Sequence, residues 1–519
     1  MPYNYEPFPY RRPAGLDAPE PRHKVVIVGA GPIGVAMALE LANHGVTSVV
    51  VDDNNVVSVG SRAICWSKRS LEIFERLGIA EKALAKGVTW KVGRTYHRDE
   101  EVFNFDLLPE DGHRMPAFIN LQQYYVEQFL VEEAEANPLV DLRFKNKVTG
   151  VTQSGDGATL AVETPDGTYE LKADYVLACD GAGSPVRKMM GLEFEGELFE
   201  ERFLIADIEM EADFPSERWF WFEPTFHPGQ SALLHKQPDN IYRIDLQLGW
   251  DADPEAEKQP ERVIPRIEKV VGHSDFRLDW VSVYSFQCAK LARFVHDRVI
   301  FVGDSAHVVS PFGARGGNGG MQDVDNLGWK LAAVLDGRAG AGLLDSYDRE
   351  RRYGSEENIR NSARATKFMT PDDGAERLFR DSVLRLAHKA PFARGWVNSG
   401  RLSRPCVYPG AAQDDGLPAV SCPGSVAPDA PLQNGWLQMA LAGREPVLLG
   451  VGCTPPDIKG TRALEVLPKG DLKTRYLGEA DHGLYLIRPD QVVAARWQTV
   501  DEAEINRALS AMWEGQDAA

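Results

Sequence analysis

Apolar and polar positions divide the first third of the chain into short buried strands and helices. Residues 24–45 fit a strand, a glycine turn and a helix, and 48–54 fit the next strand. Two buried strands joined by a helix predict a parallel pair. Helical spacing follows at 67–86 and 121–136, whereas 142–175 alternates around two turn sequences and predicts a meander of hairpins.

The pattern changes at 194–290, where segments alternate apolar and polar residues and predict a largely antiparallel sheet. A buried strand returns at 298–304, and helices are expected at 321–336, 343–369 and 375–389. A stretch rich in proline, glycine and serine then precedes a small α/β module.

These shifts divide the chain into six segments. In order they are an irregular N-terminal arm at 1–22, the first part of an α/β domain at 23–193, the sheet domain at 194–290, the second part of the α/β domain with covering helices at 291–400, a linker at 401–432 and the C-terminal module at 433–519.

Composition and charge narrow the choice of partner. The formal charge is −19, and such an acidic surface argues against nucleic acid or a membrane as partner. The six cysteines form no Cys-x-x-Cys pair, so we expect reduced thiols, no metal site and a cytoplasmic location. The arm has no apolar run, so no signal peptide is expected. The sequence has no stretch of 18 apolar residues, so no transmembrane helix is expected either.

The first motif that carries chemistry is Gly29-x-Gly31-x-x-Gly34, which joins the first strand to its helix. Gly29 permits a tight turn, Gly31 lets a pyrophosphate approach the backbone, and Gly34 lets helix and strand pack closely. Asp52 ends the next strand, where a carboxylate accepts hydrogen bonds from ribose hydroxyls. The arrangement predicts a dinucleotide with an unphosphorylated ribose, either NAD or FAD.

Two further glycine turns follow buried strands. Asp180-Gly181 ends the strand at 174–184, and Asp304 follows a buried strand directly. Glycines crowd the next segment, before a helix expected to begin near Met321, and we expect them to clear space for a ligand at its N-terminus. They are Gly313, Gly316, Gly317, Gly319 and Gly320.

These three motifs, in this order, resemble the single-component FAD-dependent aromatic hydroxylases, a family of flavoprotein monooxygenases that includes the 4-hydroxybenzoate, phenol and 3-(3-hydroxyphenyl)propionate hydroxylases. The resemblance covers about residues 23 to 370. It implies a Rossmann-like FAD-binding domain interleaved with a mostly antiparallel substrate-binding sheet. It also implies that the glycine triplet and Asp52 hold the ADP half of FAD, that Asp180 and Gly181 serve FAD and the nicotinamide cofactor, and that Asp304 holds the ribityl side.

The segment PFGARGGN at 311–318 is similar to the loop that faces the flavin in 4-hydroxybenzoate hydroxylase. The resemblance implies that the carbonyl of Pro311 lies near the substrate hydroxyl and that Arg315 raises the positive potential. Asn318 would contact the flavin edge, with Gly316 and Gly317 beneath the ring.

Other cofactor residues follow from the same resemblance. Arg62 is similar to an arginine that reaches the FAD phosphates, with a surface arginine as the alternative. Gln123, or its neighbour Gln122, matches a glutamine on the flavin side. Arg187 matches a contact to the pyrophosphate or to the nicotinamide cofactor, and Arg243 an arginine beside the flavin, with a cross-strand ion pair as the alternative.

The substrate pocket is expected between the flavin and the sheet, and strand alternation sends only half of its side chains there. Trp221 and Phe312 are the expected lining residues. His235 and Tyr242 are candidates for taking the proton of the substrate phenol, with a structural role as the alternative for each.

The C-terminal module is similar to the thioredoxin-like domain that many of these hydroxylases carry. It has no Cys-x-x-Cys pair, and only Cys453 stands near the equivalent place. We therefore expect a structural role for it, including a subunit contact in a homodimer.

The resemblance implies a monooxygenase that hydroxylates a small phenolic compound with NADH or NADPH and O2, through a flavin hydroperoxide. Two alternatives stay open. One is a hydroxylase or epoxidase of a larger polyketide or quinone, and the other is a flavin-binding reductase or redox-sensing protein. The sequence does not distinguish NADH from NADPH or identify the substrate.

Overall fold

The computed structural model describes residues 3–249, 251–311, 313–371, 374–397, 402–409 and 415–516. Its strands are β1 His23–Val28, β2 Ser48–Asp52, β3 Cys65–Ser67, β4 Val88–Trp90, β5 Val92–His97, β6 Glu100–Asp106, β7 Phe118–Asn120, β8 Val140–Phe144, β9 Lys147–Ser154, β10 Gly157–Thr164, β11 Gly167–Ala178, β12 Glu195–Glu209, β13 Arg218–Phe222, β14 Ser231–Lys236, β15 Ile241–Leu248, β16 Arg277–Lys290, β17 Val295–His296, β18 Val299–Phe301, β19 His307–Val308, β20 Pro431–Leu432, β21 Gly435–Trp436, β22 Val447–Val451, β23 Arg462–Val466, β24 Gly483–Ile487 and β25 Val493–Trp497.

Helices alternate with these strands in both halves of the chain. They are α1 Pro32–Asn43, α2 Lys68–Arg76, α3 Ala80–Lys86, α4 Gln123–Ala136, α5 Pro185–Met189, α6 Pro254–Glu257, α7 Pro260–Val271, α8 Gly316–Leu335, α9 Gly342–Met369, α10 Gly374–Lys389, α11 Pro391–Arg394, α12 Leu437–Leu441, α13 Gly470–Tyr476 and α14 Glu502–Trp513.

The first sheet builds the domain that carries the three glycine motifs. Its strands run in the order β17-β18-β11-β1-β2-β8, and β18, β11, β1, β2 and β8 are mutually parallel. The hairpins β9-β10 and β10-β11 extend it as the predicted antiparallel meander. Buried parallel strands read as continuous apolar runs, and Val25, Val26 and Ile27 of β1 are fully buried.

Helices α1 and α8 pack closely against each other on this sheet. A Cβ at Gly328 of α8 would lie 2.4 Å from the Glu40 side chain of α1, and one at Gly320 would lie 2.6 Å from Ile33. Glycine at these two positions therefore sets the distance between the helices.

The second sheet runs β19-β16-β12-β15-β14-β13-β5-β6 and is antiparallel except between β13 and β5. Helix α7 covers one face through Val263 and Ile267. The other face packs partly against α9 and α10, through Met369 and Val383. The largely antiparallel sheet predicted at 194–290 is confirmed, and β5 and β6 from earlier in the chain extend it.

The C-terminal module contains a four-stranded sheet in the order β23-β22-β24-β25, with only β22 and β23 parallel. Leu417, Ala427 and Ala430, from the segment predicted as a linker, are buried in its core. Trp329 of α8 packs with Leu448 and Leu484 of the module in a second apolar cluster. The module is thus packed directly on the glycine-motif domain.

Two predicted helices have different bounds in the structure. The segment 67–86 forms two helices, α2 and α3, because Gly78 adopts a φ of +83° between them. Helix α8 begins at Gly316, five residues before Met321, so most of the glycines expected in a loop belong to its first turns.

The predicted N-terminal arm lies over the surface of the first domain. The Phe8 ring stacks on Phe144 at 4.7 Å between ring centroids, and the Tyr5 hydroxyl accepts a hydrogen bond from the amide of Gly60. Across the residues that the structure describes, no helix is both long enough and apolar enough to span a bilayer.

Candidate functional site

The three motifs meet at the carboxyl edge of the first sheet. Asp52 ends β2, the Gly29 turn follows β1, Asp180 follows β11 and Asp304 follows β18. These strands are adjacent and parallel, so their carboxyl ends share one edge, where ligands of open α/β sheets bind.

Each glycine of the first motif has a distinct role. Gly29 adopts a φ of +106°, and a Cβ at Gly34 would lie 1.8 Å from the Gly29 carbonyl oxygen. Gly31 precedes α1, and a Cβ there would have no neighbour within 4 Å. The backbone conformation at Gly29 and the close packing at Gly34 therefore require glycine for the fold itself, whereas Gly31 leaves open space at a helix N-terminus.

Asp52 and Asp180 are both partly engaged by their own turns. Asp52 accepts hydrogen bonds from the amides of Ala30, at 2.6 Å, and Asn54, at 2.7 Å. Asp180 accepts from the Ser184 hydroxyl and from the amide of Val186 at the start of α5. Burial raises the pKa of both carboxyls, and each oxygen keeps a lone pair for a further donor.

Asp304 differs because its carboxylate has no hydrogen bond or ion pair to any residue that the structure describes. The side chain is exposed to solvent, yet protein atoms surround it closely enough for desolvation to raise its pKa. A carboxylate that is accessible to solvent but surrounded by protein atoms indicates a cleft, which a ligand with hydroxyl groups can fill.

Arg187 joins the second and third motifs. Its guanidinium donates to the carbonyls of Ala182, at 2.6 Å, and Ser305, at 3.1 Å, and it lies 3.8 Å above the Phe194 ring. Burial lowers its pKa. Beside it, Gly181 has a φ of +77° and open space where a Cβ would be.

The N-terminus of α8 presents three amides that donate to no described residue. The first intrahelical bond runs from the Gly319 amide to the Arg315 carbonyl, so the amides of Gly316, Gly317 and Asn318 have no acceptor within the helix. The Asn318 side chain is fully used, accepting from Ser67 and Ser70 and donating to the carbonyls of Cys65 and Ala314. Its backbone amide, not its side chain, remains for a ligand.

The loop before α8 brings a buried cation to the same place. Arg315 is 5% exposed and donates to Asn358 of α9 at 3.0 Å. The Pro311 carbonyl accepts from the Ala314 amide at 3.1 Å, which closes a tight turn. Phe312, predicted to line the substrate pocket, lies outside the described residues.

Arg62 lies on a strained and exposed turn. It has a φ of +43°, which is rare for a residue other than glycine, and its side chain is exposed without a partner among the described residues. Gln123 supports this turn by accepting from the Ala63 amide at 3.2 Å and donating to Ser58 and Glu127. Gln122, the alternative, is buried, and its side chain donates to the Pro238 carbonyl at 3.4 Å.

We call the face of the second sheet that carries Arg218, His235 and Arg243 the inner face. These three residues are aligned across β13, β14 and β15. Arg243 forms the predicted alternative, an ion pair with Asp245 at 2.7 Å, and it also donates to the Arg62 carbonyl. The inner face therefore lies against the turn that carries Arg62.

His235 is buried on the inner face, with Nδ1 4.0 Å from the Cys65 sulfur. Burial and the charges of Arg218 and Arg243 hold the pKa of His235 well below its ordinary value. Its imidazole is therefore neutral near pH 7 and can accept a hydrogen bond.

Tyr242 and Trp221 lie on the opposite face from Arg243, which corrects their predicted roles. Both belong to the apolar cluster beneath α7, and the Tyr242 hydroxyl donates to the Ala212 carbonyl at 2.9 Å. Because successive strand residues point to opposite faces, neither reaches the space that His235 and Arg243 face.

Sequence reasoning missed two buried residues of the inner face. Arg218 is 8% exposed, and Asp207 is 2% exposed and directly opposite Arg243. Burial raises the pKa of Asp207 to about 6, despite the opposing charge of Arg243. The sequence held part of the information needed to find Arg218. That residue alternates with Phe220 and Phe222 along one strand, which places the three side chains on the same face.

Comparison with known proteins agrees with this geometry. The 3-(3-hydroxy-phenyl)propionate/3-hydroxycinnamic acid hydroxylase of Escherichia coli is 28% identical over 513 residues, covering 91% of each protein. The structure of p-nitrophenol 4-monooxygenase PnpA from Pseudomonas putida superposes with a TM-score of 0.64 at 26% identity, covering 74% of this chain and 99% of that one. The flavin-dependent monooxygenase PieE in complex with FAD and substrate shares the fold, with a TM-score of 0.79 at 22% identity over 96% of this chain and all of that one.

The model of the FAD binding domain family matches residues 22–362, which is more than half of the chain. That range includes all three motifs and the whole inner face. The chain therefore belongs to the FAD binding domain family and is an FAD-dependent aromatic hydroxylase.

Proposed function

We propose that the protein hydroxylates the ring of a small phenolic compound at the space between the α8 N-terminus and the inner face. The observation that carries this is the convergence of the glycine triplet, Asp180 and Asp304 at one sheet edge, beside a buried polar sheet face. The E. coli relative's name makes 3-(3-hydroxyphenyl)propionate the first phenol to test.

The residues at the sheet edge fit an extended dinucleotide. Gly31 and the α1 N-terminus would receive the pyrophosphate, Asp52 the adenosine ribose, and Asp304 the ribityl hydroxyls. The exposed guanidinium of Arg62 would reach the phosphates, held there by its turn and by Gln123. The carboxylate of Asp304, which has no hydrogen-bond partner within the described ranges, supports this assignment most directly. Asp180 and Gly181 would border the same cofactor, with Arg187 positioning their turn.

FAD is the cofactor of this enzyme class, with NAD(P)H and O2 as the usual co-substrates, and it supplies hydride acceptance and oxygen activation when bound. The chain's own contribution is electrostatic. The amides of Gly316, Gly317 and Asn318 point from a helix N-terminus, and Arg315 lies buried beside them. Together they would stabilise negative charge at the reacting end of the site.

His235 would assist loss of the phenol proton. It is neutral, buried, and on the same face as Arg243, whose guanidinium positions the Arg62 turn. A phenolate ring is a better nucleophile than a phenol ring, so a neutral acceptor at this point favours hydroxylation. The Pro311 carbonyl, in the loop beside α8, would accept from the substrate hydroxyl.

The C-terminal module is proposed to be thioredoxin-like. A parallel pair, β22 and β23, followed by α13, an antiparallel pair and a final helix supports this proposal. Cys453 donates to the Gly483 carbonyl and has no Cys-x-x-Cys partner in the sequence, so its role would be structural. Contact between two subunits of a homodimer remains a prediction.

The test is phenol-stimulated consumption of NAD(P)H. The purified protein, saturated with FAD, is given a panel of phenols, and NAD(P)H oxidation and product mass are measured. Accelerated oxidation with a product one oxygen heavier supports the proposal. Oxidation that yields only hydrogen peroxide with every phenol would contradict it and favour a flavin reductase.

A further inference from the structure

Arg218 is a buried cation with no counterion among the residues that the structure describes. The structure describes ten buried arginines, and each of the others donates at least one hydrogen bond, whereas Arg218 makes no hydrogen bond or ion pair to a described residue. Its guanidinium carbon lies 5.8 Å from the centroid of the Phe220 ring. An unpaired buried charge is expensive, so its retention points to a partner that arrives from outside.

The neighbouring charges do not supply that partner. Asp245 is held by Arg243 at 2.7 Å, and Asp207 lies opposite Arg243 in the register of β12 and β15. His235, between the two arginines, is neutral. Of the two arginines that define the inner face, Arg243 is paired, whereas Arg218 has no counterion within the described part of the chain.

The position of Arg218 connects it to the reaction space. Arg218 and His235 are directly paired across β13 and β14, and Cys65 lies 4.0 Å from His235. Cys65 and Ala314, which precedes Arg315, pack against the same apolar cluster around Trp90 and Phe118. His235 and Cys65 thus connect Arg218 to the loop proposed to lie against the flavin.

Apolar side chains surround this cation on the inner face. Phe220 follows Arg218 on the same face and packs with Leu233. On the other side, Gly93 pairs with Arg218, and the Phe105 ring lies 2.2 Å from where a Gly93 Cβ would be. Such a site suits a ligand with an aromatic body and one anionic end.

We propose that Arg218 binds a carboxylate on the aromatic substrate and thereby sets the enzyme's preference for phenolic acids. The inference rests on the proposed function and adds the residue that selects the substrate. A guanidinium binds a carboxylate with two parallel hydrogen bonds, which would fix the ring's orientation as well as its affinity. A single unpaired cation matches one negative charge, and the neutral His235 beside it adds none.

The test compares an acid with its neutral counterpart. The probes are 3-(3-hydroxyphenyl)propionate and 3-(3-hydroxyphenyl)propanamide, and their dissociation constants are read from the change in flavin absorbance of the FAD-loaded full chain. The variants are Arg218→Met, which keeps length and removes charge, and Arg218→Lys, which keeps the charge. The control is Arg94→Met on the opposite face of the neighbouring strand, where Arg94 is already paired with Glu217 at 2.9 Å.

We expect Arg218→Met to weaken binding of the acid by about 100-fold and that of the amide by less than about threefold. Arg218→Lys should give an intermediate loss, and Arg94→Met should leave both constants within about twofold of wild type. If Arg218→Met weakens acid and amide equally, or neither, the inference is overturned.

The outcomes separate this inference from the proposed function. Selective, Arg218-dependent binding of the acid without any hydroxylated product would sustain the inference and contradict the function. Hydroxylation of charged and neutral phenols alike, unaffected in Arg218→Met, would sustain the function and contradict the inference. If Arg218→Met fails to fold, the test uses Arg218→Lys. The ratio of its dissociation constants for the acid and the amide is then compared with that of wild type, and an unchanged ratio contradicts the inference.

Discussion

At the scale of single residues, the inner face owes its properties to burial. Charges that would interact weakly in water act strongly there because little solvent screens them. Arg243 is matched by Asp245 and Asp207, whereas Arg218 has no match among the described residues. The same burial raises the pKa of Asp207 to about 6 and lowers that of His235.

The pKa of Asp207 predicts a pH dependence of stability. Between its ordinary value of 3.8 and the folded value of about 6, the folded state holds more of this proton than the unfolded state. The stability that this group contributes is therefore lost as pH rises through 6. From pH 5 to pH 7, wild type should lose about 1 kcal/mol more than Asp207→Asn.

Urea unfolding of the FAD-saturated proteins at both pH values measures this difference. Asp156→Asn serves as control, because Asp156 is exposed in the turn between β9 and β10 and should follow wild type. If the free energy of unfolding changes equally between pH 5 and pH 7 in wild type and in Asp207→Asn, the pKa of Asp207 is not raised in the folded state.

The sequence was sufficient to identify the residues of the motifs, but it did not predict their hydrogen-bond partners. Asp52, Asp180 and Asp304 look alike as carboxylates that follow strands, yet only Asp304 lacks hydrogen bonds among the described residues. Arg218 was overlooked for the same reason, since the absence of a counterion is visible only when all neighbouring strands are in place.

At the scale of elements, strand ends and helix starts hold the site. Asp180 supports α5 through Ser184 and Val186, whereas Asp304 accepts no hydrogen bond from any element that the structure describes. The two carboxylates should therefore respond differently to removal, although both lie at the same sheet edge.

Asp304→Ala should weaken FAD binding by about 10- to 100-fold, because a charged acceptor for ribityl hydroxyls is lost. It should leave the unfolding free energy of the FAD-free protein unchanged. Asp180→Ala should lower that free energy by about 1 kcal/mol, because the Val186 amide at the start of α5 and the hydroxyl of the capping Ser184 lose their acceptor. Fluorescence titration with FAD and urea unfolding of the FAD-free proteins measure both effects. A loss of FAD-free stability in Asp304→Ala would show that Asp304 has a structural role.

The sequence predicted whether a segment is a helix or a strand where its periodicity was strong. It did not predict which face of each element packs against which neighbour. Alternation correctly separates Tyr242 from Arg243, but helices cover both faces of this sheet, so both faces carry apolar residues. Hydrophobicity alone therefore cannot tell which face meets the first domain. The early start of α8 has a similar cause, because its glycines suggest a loop while packing against Ile33 favours a helix.

At the scale of the whole molecule, buried ion pairs join the C-terminal module to helices α8 and α9, which we group with the first sheet as the catalytic domain. Arg488 of the module donates two hydrogen bonds to Glu350 of α9, at 2.7 and 2.9 Å, and Lys330 of α8 donates a third at 2.9 Å. These cations outweigh burial and lower the pKa of Glu350, while burial lowers the pKa of Lys330 to about 8. Sequence patterns predicted the module but gave no sign of this contact.

Removing one partner of this network should destabilise the whole chain. Arg488→Met leaves the Glu350 carboxylate with Lys330 and the Asn326 amide as its described donors, and it should lower the free energy of unfolding by about 3 kcal/mol. The control, Arg444→Met, removes an exposed bond from the module to the Asn43 carbonyl and should cost less than about 0.5 kcal/mol. Chemical unfolding of both variants measures the difference. Equal, small losses would mean that the module contributes little to the stability of the catalytic domain.

The central claim is that the inner face and the α8 N-terminus direct one oxygen atom onto a phenolic ring. Incubation of the FAD-loaded protein with NADH or NADPH, 3-(3-hydroxyphenyl)propionate and oxygen-18 gas tests it, with mass spectrometry of the product. We predict a dihydroxylated acid that carries one oxygen-18 atom, formed in step with nicotinamide oxidation. Nicotinamide oxidation with unlabelled, unchanged acid and stoichiometric hydrogen peroxide, for this acid and for every other phenol tried, would contradict the account.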